Sequence, residues 1–167
     1  GMARSELALP VWEHFADLAA SAAPEDLRDR ALGLFYYVDA ICCGAERLGS
    51  PRAIPALRRL HASPLFHGRS SQGGFEPDFF LERQAYLELV IGRALARCGD
   101  RQGLETLVDY LDDARALLAE HAHSELVAIS GADFGKDARA WRAWLAAHHP
   151  VPRPITNPPE PAKAWQL

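Results

Sequence analysis

The sequence predicts an all-α protein, an α-solenoid of about three antiparallel helix pairs. The chain matches itself at an offset of 50 residues, because residues 47–57 align with residues 97–107 at arginine, glycine and aliphatic positions. Both segments place a good helix N-cap, Ser50 or Asp100, directly after a glycine. Apolar residues elsewhere recur in steps of three and four, and the alternation typical of strands is nowhere sustained. A repeated helix–glycine–cap–helix unit indicates helix pairs that stack on their neighbours.

The composition is that of one folded domain. Of the 167 residues, 49% are hydrophobic, which suits a sizeable core and argues against a disordered chain. The formal net charge of -4 predicts no general attraction to nucleic acid or to anionic lipid. No apolar run is long enough to span a bilayer, so we expect neither a nucleic-acid nor a membrane partner. We assign residues 3–149 to a helical repeat domain and residues 150–167 to a proline-rich C-terminal tail.

The three cysteines predict free thiols. Cys42 and Cys43 are neighbours, where a disulfide is strained, and an odd count leaves one thiol unpaired. Free thiols are typical of a reducing compartment, and no signal-peptide pattern is visible. We therefore expect a cytoplasmic protein.

The first two predicted helices precede the first glycine turn. An apolar stripe predicts that one face of the first helix lies in the core; it comprises Val11, Phe15, Leu18 and Ala22. Apolar steps of four and three from Leu27 to Leu48 predict a second, continuous helix of about six turns. Gly49 is predicted to end it, with Ser50 capping the next helix and Pro51 at its first position.

Two further units follow the same pattern. A short helix carries Ile54, Leu57 and Leu60, and a connection rich in glycine and serine covers residues 63–75. Pro77 is predicted to begin a helix whose buried face holds Leu87, Ile91, Ala94, Leu95 and Cys98, with Leu104, Leu107, Val108 and Leu111 on its partner. A third copy is predicted from a helix over 118–129 that ends at Gly131 and another that Asp137 caps. The tail is interpreted as a mobile linker, a docking segment or an arm along the domain.

These helix pairs resemble HEAT-like repeats of the kind grouped with the phycobilin lyase (PBS-lyase) repeat family. Residues 48–57 carry the motif, and the resemblance covers residues 27–148. It implies a right-handed superhelix that serves as a docking surface.

Four segments also resemble HEAT-like C-terminal regions attached to FAD-dependent oxidoreductases, namely residues 33–40, 79–83, 109–113 and 131–137. That resemblance implies a flavoprotein whose cofactor site lies elsewhere. No Gly-x-Gly-x-x-Gly motif occurs, so we expect no cofactor in this chain.

No catalytic or metal-binding constellation is visible in the sequence. His121 and His123 point roughly 200° apart on a helix and do not share an ion easily. The cysteines lie within predicted helices, whereas a reactive thiolate favours a helix N-terminus or a cationic neighbour. We therefore predict no catalytic residue and no metal site, while leaving open whether the protein is an enzyme.

The strongest candidate for ligand or partner contact is the connection over residues 61–74. Its side chains and backbone amides are able to cradle an anion, although an inserted solenoid loop without a ligand is the commoner explanation of such a stretch. Arg69 of this connection and three arginines nearby in sequence, Arg52, Arg58 and Arg59, form a basic strip. The candidate residues are His61, His67, Arg69, Ser70, Ser71, Arg58 and Arg59.

Three functions are consistent with these observations. We expect a non-catalytic helical-repeat scaffold that docks a protein or a covalently attached domain. The alternatives are an accessory C-terminal domain of a larger FAD-dependent oxidoreductase and, with less support, a small-ligand enzyme that uses the 61–74 loop.

Overall fold

The computed structural model describes residues 6–28, 33–71 and 79–156, and these residues form helices and connections without any strand. The α-helices are α1 (Leu9–Ala20), α2 (Pro24–Arg28), α3 (Leu34–Leu48), α4 (Ile54–Ala62), α5 (Phe79–Arg97), α6 (Arg101–Asp109), α7 (Ala116–Ser130) and α8 (Ala138–Ala147). Short 3-10 turns cover Glu6–Ala8, Pro51–Ala53, Pro64–Phe66 and Tyr110–Asp112. None of the helices in these ranges has the length and hydropathy needed to cross a bilayer. The predicted all-α class is confirmed for this part of the chain.

The three predicted glycine turns are present. Gly49, Gly99 and Gly131 have φ of 60°, 89° and 75°, the left-handed conformation that glycine adopts without a steric penalty. Ser50 Oγ then accepts a hydrogen bond from the Arg52 N–H, and Asp100 Oδ1 accepts one from the Gln102 N–H. The backbone at these two caps is nearly identical, with φ of -94° at both and ψ of 129° and 130°. The offset seen in the sequence therefore corresponds to a glycine turn and cap formed twice, although α5 packs against α6 after its turn whereas α3 packs mainly against α5.

Helix α5 lies at the centre of the described helices, since it contacts α3, α4, α6 and α7. Its predicted apolar face is fully buried, and other α5 residues join a second core cluster with α6, α7 and α8. Leu87, Ile91 and Leu95 belong to the first cluster, whereas Ala85 and Leu89 belong to the second. Burial on both sides explains why α5 has the largest share of buried residues among these helices. The predicted start of this helix at Pro77 lies outside the described residues.

The continuous helix predicted from Leu27 to Leu48 is wrong. Helix α2 ends at Arg28, and α3 begins at Leu34, directly after Gly33 with φ of 67°. A residue with positive φ cannot continue a right-handed helix, so the chain turns at Gly33 although its apolar steps continue through it. Residues 29–32 lie outside the described residues.

Three of the four residues of the predicted first apolar stripe face solvent, contrary to the prediction, whereas Ala22 is partly buried against the core. The exposed fractions of Val11, Phe15 and Leu18 are 54%, 36% and 56%. Helix α1 instead packs through Ala16 and Ala19, which are almost completely buried. Small residues allow close approach between helices, and in this helix apolar residues occur on both faces. Periodicity alone could not decide which of the two faces the core.

The first residues of the tail form an extended segment that lies along the domain. We call residues 150–156 the arm. The arm follows α8 and runs back over the C-terminal ends of α5 and α3, where the Arg153 N–H donates to Arg97 O at 2.8 Å and the Ile155 N–H donates to Glu46 O at 2.9 Å. Residues 150–156 thus agree with the third interpretation of the tail, an arm along the domain. Residues 157–167 lie outside the described part.

Candidate functional site

The connection after α4 is folded onto the body of the protein. Leu65 and Phe66 are buried, and the side-chain amide of Gln84 donates to Leu65 O at 2.8 Å. Gly68 lies directly on α5, since a Cβ at Gly68 would be 2.2 Å from the backbone nitrogen of Ala85. Close backbone packing, rather than ligand access, is what glycine provides at this position.

Two carboxylates of the chain itself accept hydrogen bonds from the backbone amides that the sequence offered as an anion cradle. Glu88 Oε2 accepts from the N–H groups of Gly68 and Arg69, at 2.7 and 3.0 Å. Asp113 Oδ2 accepts from the Ser70 N–H at 2.9 Å. Burial alone would raise the pKa of Asp113, but hydrogen bonds from Arg115 and from the amides of Ser70 and Arg115 lower it overall. The carboxylates therefore satisfy these donors as a bound anion would.

The remaining loop residues also bond within the protein or lie at its surface. Arg69 Nη1 donates to Asp112 Oδ1 at 2.9 Å, and His67 Nε2 lies 2.8 Å from His61 O. Ser71 is exposed.

The four arginines of the basic strip each form an ion pair within the chain. Their partners are Glu6 for Arg52, Asp100 for Arg58, Asp17 for Arg59 and Asp112 for Arg69. Arg58 and Arg59 extend to different helices, because one contacts the N-cap of α6 and the other contacts α1. The candidate residues therefore do not converge on a single pocket.

His61 joins α4 to α6 in its neutral form. Its Nε2 lies 2.8 Å from Thr106 Oγ1, and Gln102 Nε2 lies 3.1 Å from its Nδ1. The Thr106 hydroxyl donates to Gln102 O, so this hydroxyl accepts from His61 Nε2 and the amide of Gln102 donates to Nδ1. Burial lowers the pKa of His61, and the neighbouring carboxylate of Glu88 only partly opposes it. Protonation of Nδ1 would place its N–H against the side-chain N–H of Gln102, so that two donors would oppose each other.

Acidification is expected to weaken this contact. The pKa of His61 is lowered on folding, so the unfolded chain takes up the proton first as pH falls below about 6.5. The contribution of His61 to the free energy of unfolding should be fully present above that pH and decline below it. Urea unfolding at pH 7.5 and 5.5 should therefore show a weaker pH dependence for His61→Gln than for the wild type.

His121 also has a lowered pKa, from burial and then from Arg93, so some dependence should persist in His61→Gln. Equal slopes for the wild type and His61→Gln would contradict the assignment.

A buried ion-pair network, which the sequence analysis missed, connects α3, α5 and α7. Glu46 is 1% exposed and accepts from Arg93 Nε at 2.5 Å, while Arg93 Nη1 lies 2.7 Å from His121 Nε2. One turn later on α5, Arg97 pairs with Glu125 at 2.8 Å. The spacing of Arg93 and Arg97 four residues apart was the available signal, but their partners are distant in sequence.

The described residues place no three cysteine, histidine or carboxylate side chains where they would hold a metal ion. Two of the thiols, Cys42 and Cys98, are fully buried. Burial raises the pKa of Cys98 to about 12 and raises the pKa of Cys42 as well, which disfavours the reactive thiolate.

The exposed side of α1 forms an apolar surface. We call it the α1 face: Val11, Phe15 and Leu18 together with Tyr37 of α3. The rings of Phe15 and Tyr37 stack at 5.3 Å, and Tyr37 is 52% exposed. Beside them a shallow groove of about 320 Å³ is lined by apolar side chains and by the carboxylate of Asp26. Exposed apolar surfaces of this kind mark interaction sites in many proteins.

Comparison of the chain with protein-family models, with curated proteins and with solved structures found no match.

Proposed function

We propose that this protein is a non-catalytic helical-repeat scaffold that docks a protein or a covalently attached domain through the α1 face. The exposure of Val11, Phe15 and Leu18 on one side of a helix carries the proposal. A terminal helix of a repeat stack is polar on its outer side if it faces only water, whereas α1 exposes this apolar stripe beside its polar residues Glu13, His14 and Asp17. The repeated glycine turns and cap geometry support a HEAT-like α-solenoid as the architecture.

The chemistry of the face specifies the partner. Its centre is apolar and aromatic, whereas Asp26 lines the groove and the neighbouring Glu25 is exposed. An apolar surface with a basic rim is complementary to this arrangement. A second copy of the same face would instead bring like charges together.

The other functions have less support. The small-ligand alternative depends on amides of the 61–74 loop, and Glu88 and Asp113 already accept from three of them.

The free thiols suit a reducing compartment such as the cytoplasm.

Site-specific photocrosslinking in the source cells tests the proposal. A benzophenone side chain at position 18 is expected to form a covalent adduct, because Leu18 lies on the α1 face. The same side chain at Leu117, which is 80% exposed at the start of α7, is the matched control and should form none. The additional change Val11→Asp should remove the adduct while leaving stability within about 0.5 kcal/mol, as for most exposed positions, since Val11 is 54% exposed.

The mass of the adduct distinguishes the possible partners. A separate protein supports the scaffold, and a crosslink within one longer polypeptide supports the accessory-domain alternative. An adduct of two copies, or equal labelling at both positions, would contradict the proposal.

A further inference from the structure

The arm is seated on the two glycine turns that repeat in the sequence. The ring of Pro152 lies on Gly99 and that of Pro154 lies on Gly49. A Cβ at Gly49 would be 2.6 Å from Pro154 Cβ, and a Cβ at Gly99 would be 2.9 Å from Pro152 Cδ. The absence of a side chain at each turn therefore creates the flat seat on which each ring rests.

Backbone hydrogen bonds set the register of the arm. The N–H groups of Arg153 and Ile155 donate to Arg97 O and Glu46 O, and Arg97 Nη1 donates to Arg153 O at 3.1 Å. The orphan carbonyls at the C-terminal ends of α5 and α3 thus gain partners. The site therefore suits an extended chain in which the residue after each proline donates its backbone N–H to a helix carbonyl.

Proline at alternate positions suits this site for a second reason. The N–H groups at 153 and 155 point to the body of the protein, and the prolines at 152 and 154 have no N–H to offer on the opposite edge. The arm is therefore protected from further strand pairing. Proline also favours the extended conformation before binding, which lowers the entropic cost of association.

We propose that the Gly49 and Gly99 turns, with the ends of α3 and α5, form a binding site for an extended Pro-x-Pro segment of another protein, which displaces the arm. The arm shows which ligand chemistry fits. It is also replaceable, because Val151, Pro152, Arg153 and Thr156 remain exposed and described backbone bonds hold the arm at only a few positions. The arm site and the α1 face have no residue in common, so this proposal stands independently of docking at the α1 face.

The test uses the full chain and a labelled peptide. The peptide has the sequence of residues 150–156 and carries fluorescein, and its binding is measured by fluorescence anisotropy. Ile155→Pro removes the N–H that donates to Glu46 O and so loosens the tethered arm. The matched control is Thr156→Pro, which adds the same residue at the next, exposed position.

We expect Ile155→Pro to bind the peptide at least about tenfold more tightly than the wild type or Thr156→Pro, because a tethered arm competes at an effective concentration on the order of millimolar. A peptide with alanine in place of both seated prolines should lose this binding. Equal binding by the wild type and a folded Ile155→Pro variant, judged by circular dichroism, would overturn the proposal.

Two further outcomes are decisive. If Ile155→Pro unfolds, Arg153→Pro is used instead, because it removes the N–H that donates to Arg97 O. Unfolding of both variants would show that the arm is an integral part of the fold and would overturn the proposal. Sedimentation of the wild type should show a monomer. A dimer that Ile155→Pro abolishes would identify the arm of a second copy as the occupant and would also overturn it.

Discussion

Replacing Arg93 by methionine is expected to lower the free energy of unfolding by about 3–5 kcal/mol, because it leaves the Glu46 carboxylate buried without its partner. Glu46 is 1% exposed, and burial raises its pKa even in the presence of Arg93. The double variant Glu46→Gln/Arg93→Met should recover much of the loss, since neither side chain then carries a buried charge. Urea denaturation of the four chains gives the coupling energy directly.

The pH dependence provides an independent readout for Arg93→Met. Without the arginine, the folded pKa of Glu46 should rise further above its unfolded value. In this variant, the contribution of Glu46 to the free energy of unfolding should therefore be largest below the unfolded pKa of Glu46. It should decline as pH rises through the folded pKa of Glu46. The defect relative to the wild type is thus expected to be smaller at pH 5 than at pH 8.

The exposed pair Arg101–Glu105 is the matched control. Both side chains are about half exposed, so Arg101→Met should cost less than about 1 kcal/mol. Similar losses for Arg93→Met and Arg101→Met would show that burial of Glu46 is not the source of the effect.

Alanine at Gly49 or Gly99 is expected to be more destabilising than alanine at Gly131. All three glycines have positive φ, which costs alanine about 1–2 kcal/mol. Only Gly49 and Gly99 also support a proline ring, and displacing that ring should add about 1–3 kcal/mol. The expected totals are about 2–5 kcal/mol for Gly49→Ala and Gly99→Ala, and about 1–2 kcal/mol for Gly131→Ala.

Gly131→Ala isolates the contribution of the backbone, because nothing lies within 4 Å of a Cβ at that turn. Thermal and chemical unfolding of the three variants measure the difference. If all three lose the same stability, the arm contributes nothing at the glycine turns. Adding Ile155→Pro should reduce the excess at Gly49, since a loosened arm yields to the new methyl group.

Local signals predicted the helices and their ends well. Glycine followed by Ser50 or Asp100 specifies a left-handed residue and a side-chain cap, and both act within a few residues of the chain. The buried face of α5 was also predictable, because a long run of apolar steps leaves few alternatives. The failure at Gly33 has the same origin, since the apolar steps continue through a residue whose backbone ends the helix.

The candidate site was less predictable from the sequence. The 61–74 loop was recognised by its glycine, serine and histidine content, yet Glu88 and Asp113, which satisfy its amides, lie about 20 to 40 residues away. A polar loop that binds a ligand and one that binds its own protein have the same composition. Only the positions of the distant carboxylates distinguish them.

The sequence by itself determined the all-α class of the described residues, the three glycine turns and the helices on either side, because these depend on backbone conformation and on contacts within one or two turns. Tertiary structure alone decided which face of α1 is buried, which carboxylates accept hydrogen bonds from the loop amides and where the arm lies. Those features depend on pairs such as Glu46 with Arg93 and Gly49 with Pro154. Such pairs are distant in sequence and leave no periodic signal in it.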